Sequence, residues 1–253
     1  MKWYEIKNKA EKAEIWIYDQ IGEDFWTGGG TTAKAFQKEL SAVTASQIDL
    51  HINSPGGEVF DGITIYNLLK QHPATITTYI DGIAASIASV IALVGDKVVM
   101  AENALYMMHN PSGMVVGNAD DMRSMADVLD KVRGSMLKVY SGKSGKEDQD
   151  IVPLLDAETW MNADEALEAG FIDEIGSRMD MAACARFIPV MAKAGFKRIP
   201  DNIDGEKKNP LSKDLEDIAN IHQRNQVKVA QSKQTRRDRV ADLLIRAELV
   251  SPK

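Results

Sequence analysis

The sequence has a single cysteine, Cys184, among 253 residues. An intrachain disulfide is therefore impossible, four zinc-binding cysteines are excluded, and a reducing compartment is expected. Long apolar runs are also missing, because the stretch from Ile83 to Val94 is too short to span a bilayer and contains Ser86 and Ser89. The first residues show no apolar run followed by a small-residue cleavage site. We therefore expect no signal peptide, no membrane partner and a cytoplasmic protein.

The charge is acidic and unevenly distributed. Hydrophobic residues make up 44% and charged residues 26% of the chain, as in ordinary soluble globular proteins. The net charge is −7, but the segment from Lys197 to Lys253 holds 13 basic and 9 acidic residues, so the remainder carries −11. An acidic body binds nucleic acid poorly, and a solvated helical tail is favoured over an RNA-binding arm. We expect no nucleic-acid partner.

Strand-like and helix-like segments alternate along the chain. The strands are predicted at Ala13–Tyr18, Gln47–Ile52, Ala74–Ile80, Lys97–Met100 and Ala104–Met108. The helices are predicted from Thr31 to about Leu40, from Val59 to Leu69, from Ala84 to Val94 and from Asn118 to Ser141, with a short helix after the capping box Asn162–Glu165. This order predicts an α/β domain with parallel strands and right-handed crossovers.

The character of the chain changes after Ile188, where prolines interrupt a charged segment. A weak amphipathic helix is predicted around Leu243, near the end of the sequence. We place a domain boundary near residue 190. This gives one domain over residues 1–190 and a charged extension, helical or flexible, over residues 191–253.

Three short segments carry residues suited to chemistry. In Gly82–Ser86 a strand leads through small residues to a serine at the first turn of an apolar helix, beside oriented backbone amides. In Asn53–Gly57 a strand ends in Pro-Gly-Gly, which frees backbone N–H groups to stabilise developing negative charge. His109 ends an apolar strand before an Asn-Pro turn, and its ordinary pKa suits a general base. Taken alone, each segment is better explained as an ordinary turn, cap or structural histidine.

Taken together and in order, these segments resemble a known family. Ile52–Gly57, Gly82–Ser86 and Met108–Pro111 resemble three signature blocks of the Clp-type serine peptidases (ClpP), and Trp160–Asp173 resembles a fourth. The resemblance covers roughly residues 13–178. It implies the ClpP/crotonase-like superhelix of strand–helix units and a serine-type endopeptidase without cofactor or metal.

The resemblance also implies roles for individual residues. Ser86 falls on the family's nucleophile and His109 on its general base, which together form and hydrolyse an acyl-enzyme. The backbone N–H groups of Gly56 and Ile87 fall on the oxyanion hole. The strand edge that pairs with an extended substrate falls on Gly57 and Glu58.

The third member of the catalytic triad departs from the family pattern. The family has an aspartate two residues before the aromatic residue of its fourth block, where this sequence has Glu158. A glutamate can orient a histidine as an aspartate does. Asp156 is the alternative, and both carboxylates could instead only cap or solvate a helix.

A narrower resemblance concerns the start of the chain. Ala13–Tyr18 and Ile21–Asp24, followed by a glycine-rich turn, resemble the ClpP-like head maturation proteases of tailed bacteriophages, which often carry a C-terminal extension. This implies capsid or scaffold proteins as substrates and the host-cell cytoplasm, whereas the broader ClpP resemblance implies homo-oligomeric rings. The Asn118–Ser141 helix corresponds to the element that joins rings, and an apolar stripe follows it: Met122, Met125, Ala126, Leu129, Val132 and Met136.

Other functions stay open at this point. The chain could be a degradative subunit fed by an ATPase unfoldase. It could be a crotonase-type enzyme acting on acyl-CoA, although that chemistry does not need a serine nucleophile. It could also be a shell or scaffold component with an inactive site, since Glu158 replaces the expected aspartate.

Overall fold

The computed structural model describes residues 2–23, 30–179 and 182–200. Ten strands alternate with seven α-helices in the described part of the chain. The strands are β1 (Tyr4–Lys7), β2 (Lys12–Ile17), β3 (Gly22–Glu23), β4 (Gly30–Thr31), β5 (Gln47–Ser54), β6 (Thr75–Ala85), β7 (Lys97–Ala101), β8 (Leu105–Met108), β9 (Thr159–Met161) and β10 (Glu174–Gly176). The helices are α1 (Ala33–Leu40), α2 (Val59–Lys70), α3 (Ile87–Ala92), α4 (Ala119–Ser144), α5 (Asp148–Asp156), α6 (Ala163–Glu168) and α7 (Ile188–Lys193), with a 3₁₀ helix over Ala182–Phe187 before α7.

The strands form one large, mostly parallel sheet. Its order is β1-β2-β5-β6-β7-β10; β2, β5, β6, β7 and β10 run parallel to one another, and β1 pairs antiparallel with β2. The far end of β6 continues past β7 and pairs with β8, which in turn pairs antiparallel with β9. The predicted parallel α/β domain is therefore confirmed. The branch made by β6, β8 and β9 brings residues near 85, 108 and 158 to one end of the sheet.

The hydrophobic core lies between one sheet face and the helices, because alternate strand residues point to that face. The fully buried side chains include Ile15, Ile17, Leu50, Ile52, Phe36 and Ile65. Burial of each such side chain contributes roughly 1.5–3 kcal/mol to folding. On the opposite face, Trp16, His51 and Tyr79 stack at centroid distances of 5.6 and 5.0 Å, and His51 Nδ1 lies 2.7 Å from Asp81 Oδ2. These contacts give His51 a structural environment.

The sequence placed the start of one helix incorrectly. It predicted a helix from Ala84, whereas β6 extends to Ala85 and α3 begins at Ile87. The reason is tertiary, since Ile83, Ala84 and Ala85 pair with β8. A run of small apolar residues does not distinguish a buried strand from a helix.

The other predicted helix starts are closer to the structure. Helix α1 begins after Thr32 rather than after Thr31, and no side-chain hydrogen bond caps it. Asn118 caps α4 and Asn162 caps α6, each in a reciprocal capping box with the residue three positions later.

Helix α4 has an exposed first half and a second half that is buried along one face. Met122 is 53% exposed, whereas Val132 and Met136 are buried in the core. The apolar stripe predicted from the sequence therefore packs on the chain's own core only at its C-terminal end. Within the ranges described above, none of the helices combines the length and hydropathy that a membrane span requires.

The described residues all belong to one compact unit of the chain. Helix α7 crosses position 190, where the sequence suggested a boundary, and Ile188 and Met191 within it are buried. The amphipathic helix predicted around Leu243 lies outside the described residues.

Candidate active site

Ser86 is the single residue between β6 and α3, and it forms a sharp turn. Its backbone has φ 56° and ψ −129°, which is unusual for a residue with a side chain. Its N–H donates to the carbonyl of Met107 at 3.0 Å, which joins the turn to β8. Ala84 and Ala85, the small residues before it, are completely buried. The turn therefore presents the half-exposed Ser86 side chain at the end of the sheet.

His109 follows β8 directly and reaches this serine. Ala85 pairs with Met107, and this pairing fixes the register of β6 and β8. The residues that follow these two strands, Ser86 and His109, therefore come close together. The Nε2 atom lies 2.7 Å from Ser86 Oγ. Burial lowers the pKa of His109 below its ordinary value, and the negative charge of Glu158 offsets part of that decrease. The imidazole is therefore neutral near pH 7 and can accept the serine proton.

Two backbone N–H groups flank Ser86. Gly56 has φ 94°, and a Cβ added to it would lie 2.7 Å from Ser86 Cβ and 3.3 Å from the nitrogen of Ile87. The Pro-Gly-Gly turn and the first amide of α3 therefore lie close together beside Ser86. The Gly56 N–H donates a long hydrogen bond of 3.2 Å to Ser54 Oγ, for which a developing oxyanion could compete.

Of the two residues expected to pair with an extended substrate, Gly57 and Glu58, only Gly57 is available in the structure. Ile21 pairs with Gly57 through its N–H to the Gly56 carbonyl and its carbonyl to the Glu58 N–H. The Glu58 carbonyl accepts from Gly62, and its carboxylate caps α2 by accepting from the Asp61 N–H at 2.6 Å. The N–H, carbonyl and carboxylate of Glu58 thus all have partners within the chain. Gly57, whose own N–H and carbonyl face the other side, offers the edge by itself.

The two candidate acids occupy different environments. Glu158 is 8% exposed and has φ 50°, a left-handed conformation that residues with side chains rarely adopt. Asp156 is exposed, and its Oδ1 accepts from Asn110 Nδ2 at 2.7 Å. Glu158 is the acid whose charge acts on His109. Within the described ranges, neither carboxylate hydrogen-bonds to the His109 ring.

A segment that the sequence analysis assigned to the extension holds Glu158. Its Oε1 accepts the backbone N–H groups of Lys197 at 2.7 Å and Arg198 at 2.9 Å. The ring of Phe196 lies 4.9 Å from the His109 ring, centroid to centroid. We call residues 188–198 the C-terminal strap. Sequence reasoning missed it because its bonds to Glu158 join residues about 40 positions apart, and the contact of Phe196 with His109 spans still more of the chain, without any repeating pattern.

Cavities open on both sides of the Ser86–His109 pair. One, of about 140 Å³, lies between Gly57 and the C-terminal strap. The other, of about 160 Å³, is lined by Val59, Ile87, Pro111 and Met136. A larger surface groove of about 530 Å³ runs along α1 and contains none of the candidate site residues. Across the described residues, no group of three or more histidine, cysteine or carboxylate side chains is arranged to hold a metal ion.

Comparison with known proteins agrees with this geometry. The family model "Clp protease" matches residues 2–179. The chain is 37% identical over 133 residues to an ATP-dependent Clp protease proteolytic subunit from Leuconostoc citreum, covering 51% of this chain and 66% of that protein. It is 34% identical over 150 residues to a subunit with the same name from Porphyromonas gingivalis, covering 57% and 68%. The chain thus spans about two thirds of the length of these curated relatives.

A solved structure with lower sequence identity also has a similar fold. A solved ClpP1 variant from Listeria monocytogenes superposes with a TM-score of 0.56 and 24% identity, covering 66% of this chain and 92% of that structure. This likeness confirms the ClpP-like fold that the resemblance implied. The extent of the family match shows that the chain belongs to the Clp protease family.

Proposed function

We propose that this chain is a serine endopeptidase in which Ser86 is the nucleophile and His109 the general base. The observation that carries the proposal is the 2.7 Å contact between His109 Nε2 and Ser86 Oγ. The neutral imidazole removes the serine proton, Ser86 attacks the peptide carbonyl, and the imidazolium then protonates the leaving amine. Water hydrolyses the acyl-enzyme by the same route. No cofactor is needed for these steps.

The remaining groups complete the proposed site. The N–H groups of Gly56 and Ile87 hold the oxyanion, and Gly57 pairs with the extended substrate. Glu158 orients His109 through Nδ1, since burial and its effect on the pKa of His109 favour it over the exposed Asp156. The cavity next to Met136 is apolar on several sides and suits a medium-sized apolar side chain of the substrate.

The biological setting has two candidates. The start of the chain, Ala13–Tyr18, and the C-terminal extension favour a phage protease that trims capsid or scaffold proteins. The names of the curated relatives favour a degradative subunit that works with an ATPase. We propose the maturation role first, because the extension begins with a strap that contacts the candidate site.

We further propose that copies of the chain assemble into rings. The first half of α4 supports this, since it is exposed and presents Met122 and Val128, which are 53% and 40% exposed. Native mass spectrometry of the wild type and of Met122→Lys tests it. A homo-oligomer that dissociates in the variant supports an interface through α4, and a monomeric wild type contradicts it.

The experiment that tests the function compares wild type with Ser86→Ala by mass spectrometry of cleavage products. One reaction contains a capsid protein encoded beside this chain, and a second contains a folded substrate with a Clp-type ATPase and ATP. Capsid cleavage by the wild type alone, without ATP, supports the maturation protease. Cleavage only with the ATPase supports the degradative subunit. Equal products from wild type and Ser86→Ala contradict the peptidase proposal itself.

A further inference from the structure

The unusual backbone of Ser86 is held by hydrogen bonds from within α3. The Ser86 carbonyl accepts both the N–H of Ser89, at 2.9 Å, and the hydroxyl of Ser89, at 2.5 Å. A residue with positive φ stays in that conformation only when its surroundings fix it. The serine turn is thus fixed at its N–H by Met107 and at its carbonyl by Ser89.

The direction of the next hydrogen bond follows from counting protons. Ser89 has one hydroxyl proton, and it goes to the Ser86 carbonyl. The Tyr140 hydroxyl, 2.8 Å from Ser89 Oγ, must therefore be the donor in that pair. Ser89 and Tyr140 are both fully buried, and burial raises the pKa of Tyr140, so the tyrosine keeps its proton at any working pH.

We propose that Ser89 and Tyr140 are positioning residues for the nucleophile. The chain Tyr140 OH → Ser89 Oγ → Ser86 C=O joins helix α4 to the serine turn and fixes the direction in which Oγ points. Neither residue reaches the substrate, so their effect is on kcat rather than on KM. The proposal rests on the proposed peptidase function and adds an anchor in α4 to it.

Tyr106 provides a matched control. It is also fully buried, and its hydroxyl also bonds to Ser89, but to the main-chain carbonyl, at 3.1 Å. Tyr140→Phe and Tyr106→Phe therefore each remove a fully buried hydroxyl that bonds to Ser89. The first hydroxyl bonds to the side chain of Ser89 and the second to its main-chain carbonyl. Only the first interrupts the path to the Ser86 carbonyl.

The experiment measures kcat and KM for peptide hydrolysis by full-length Tyr140→Phe, Tyr106→Phe, Ser89→Ala and the double variant Ser89→Ala/Tyr140→Phe. We expect Tyr140→Phe and Ser89→Ala each to lower kcat about tenfold with KM unchanged, because small displacements of a reacting atom are costly. The double variant falls no further, since both changes break one path. Tyr106→Phe keeps the wild-type kcat.

Several outcomes overturn the inference while leaving the peptidase proposal intact. Wild-type kcat in Ser89→Ala or in folded Tyr140→Phe does so, and so does an equal loss in Tyr106→Phe or an additive loss in the double variant. An inactive wild type instead contradicts the proposed function. If Tyr140→Phe does not fold, Ser89→Ala carries the test.

The C-terminal strap supports a second, independent inference. Buried Ile188 and Met191 anchor it to the core. Four residues of the strap line the cavity beside Gly57, Ser86 and His109: Val190, Met191, Ala194 and Phe196. The space left, about 140 Å³, is below the roughly 300–1,000 Å³ typical of ligand pockets. An extended substrate must displace the strap from Gly57.

The strap also holds the acid that the histidine needs. The N–H groups of Lys197 and Arg198 both donate to Glu158 Oε1. These bonds engage Oε1, and among the described residues the Glu158 carboxylate makes no hydrogen bond to the His109 ring. We propose that the C-terminal strap is autoinhibitory: it covers the substrate edge and binds Glu158, and its release lets Glu158 orient His109. This inference also rests on the proposed function.

The test uses full-length variants and an unfolded peptide substrate. Phe196→Ala removes the ring that packs near His109, and Lys197→Pro removes one of the two N–H groups that bind Glu158. Lys197→Ala is the matched control, because it loses the side chain but keeps the N–H. We expect kcat/KM to rise about fivefold or more in Phe196→Ala, and in Lys197→Pro relative to Lys197→Ala, as for a typical regulatory coupling.

The absence of either increase in folded protein overturns the autoinhibitory role. A lower kcat/KM in Phe196→Ala would instead make the strap part of the working site. If Phe196→Ala does not fold, the comparison of the two Lys197 variants decides. An inactive Ser86→Ala measured in parallel shows that the activity comes from the proposed site.

Discussion

Gly56 is the position where a single methyl group tests the proposed oxyanion hole most sharply. The residue has φ 94°, and an added Cβ would lie 2.7 Å from Ser86 Cβ and 2.8 Å from the carbonyl oxygen of Ala85. These contacts are shorter than real Cβ contacts, and the two neighbours are the last residue of β6 and the turn residue that follows it. Gly56→Ala must therefore move the Pro-Gly-Gly turn away from Ser86.

The expected size of the effect has two parts. Forcing a residue with a side chain into this φ range costs about 1–3 kcal/mol of stability. Displacing one oxyanion donor lowers kcat by about 10²–10³, or roughly 2.7–4 kcal/mol in the transition state. Thermal unfolding measures the first part and peptide hydrolysis by the folded enzyme measures the second.

Gly134 is the matched control for this experiment. It lies inside α4, and an added Cβ would meet nothing within 4 Å. Gly134→Ala should raise stability by roughly 0.5–1 kcal/mol, because alanine is the better helix former, and leave kcat unchanged. If folded Gly56→Ala keeps the kcat of Gly134→Ala, the Gly56 N–H does not stabilise the transition state and the assignment is refuted.

Three further predictions concern the acid, a helix cap and the core. Glu158→Gln removes the negative charge that raises the pKa of His109, so the acidic limb of the pH–kcat/KM profile should move to lower pH; an unmoved limb would show that the two residues do not interact. Asn118→Ala removes the capping box of α4 and should lower the free energy of unfolding by about 1 kcal/mol in a denaturant titration, with kcat unchanged, whereas an unaltered midpoint would contradict the cap. Ile52→Ala should cost about 2–5 kcal/mol in the same titration, and a loss below 1 kcal/mol would mean that the site is not tightly packed.

Much of the fold could be predicted from local patterns. Alternation of apolar and polar residues in Ala13–Tyr18 predicts β2, and the capping box at Asn162 predicts the start of α6. The end of β6 could not be predicted in this way. Ala84 and Ala85 join a strand only because β8 lies beside them, and β8 comes about twenty residues later in the chain.

In the candidate site, too, some features could be predicted from local sequence and others depend on contacts between distant residues. Turn residues around Gly56 and Ser86 have local signatures, and a histidine at a strand end is recognisable once the strands are known. The N–H of Glu58 donates its hydrogen bond to Ile21, and the carboxylate of Glu158 accepts hydrogen bonds from Lys197 and Arg198. Such backbone contacts leave no signature in the side chains of the sequence, so only the structure reveals them.

The central claim is that His109 activates Ser86, and covalent labelling tests it most directly. Wild type, His109→Ala and Ser86→Ala are treated with a fluorophosphonate, and peptide mapping by mass spectrometry locates the adduct. We predict one adduct on Ser86 in the wild type, labelling slowed by orders of magnitude in His109→Ala, and none in Ser86→Ala. An adduct at another residue, or equal labelling rates in wild type and His109→Ala, would contradict the account.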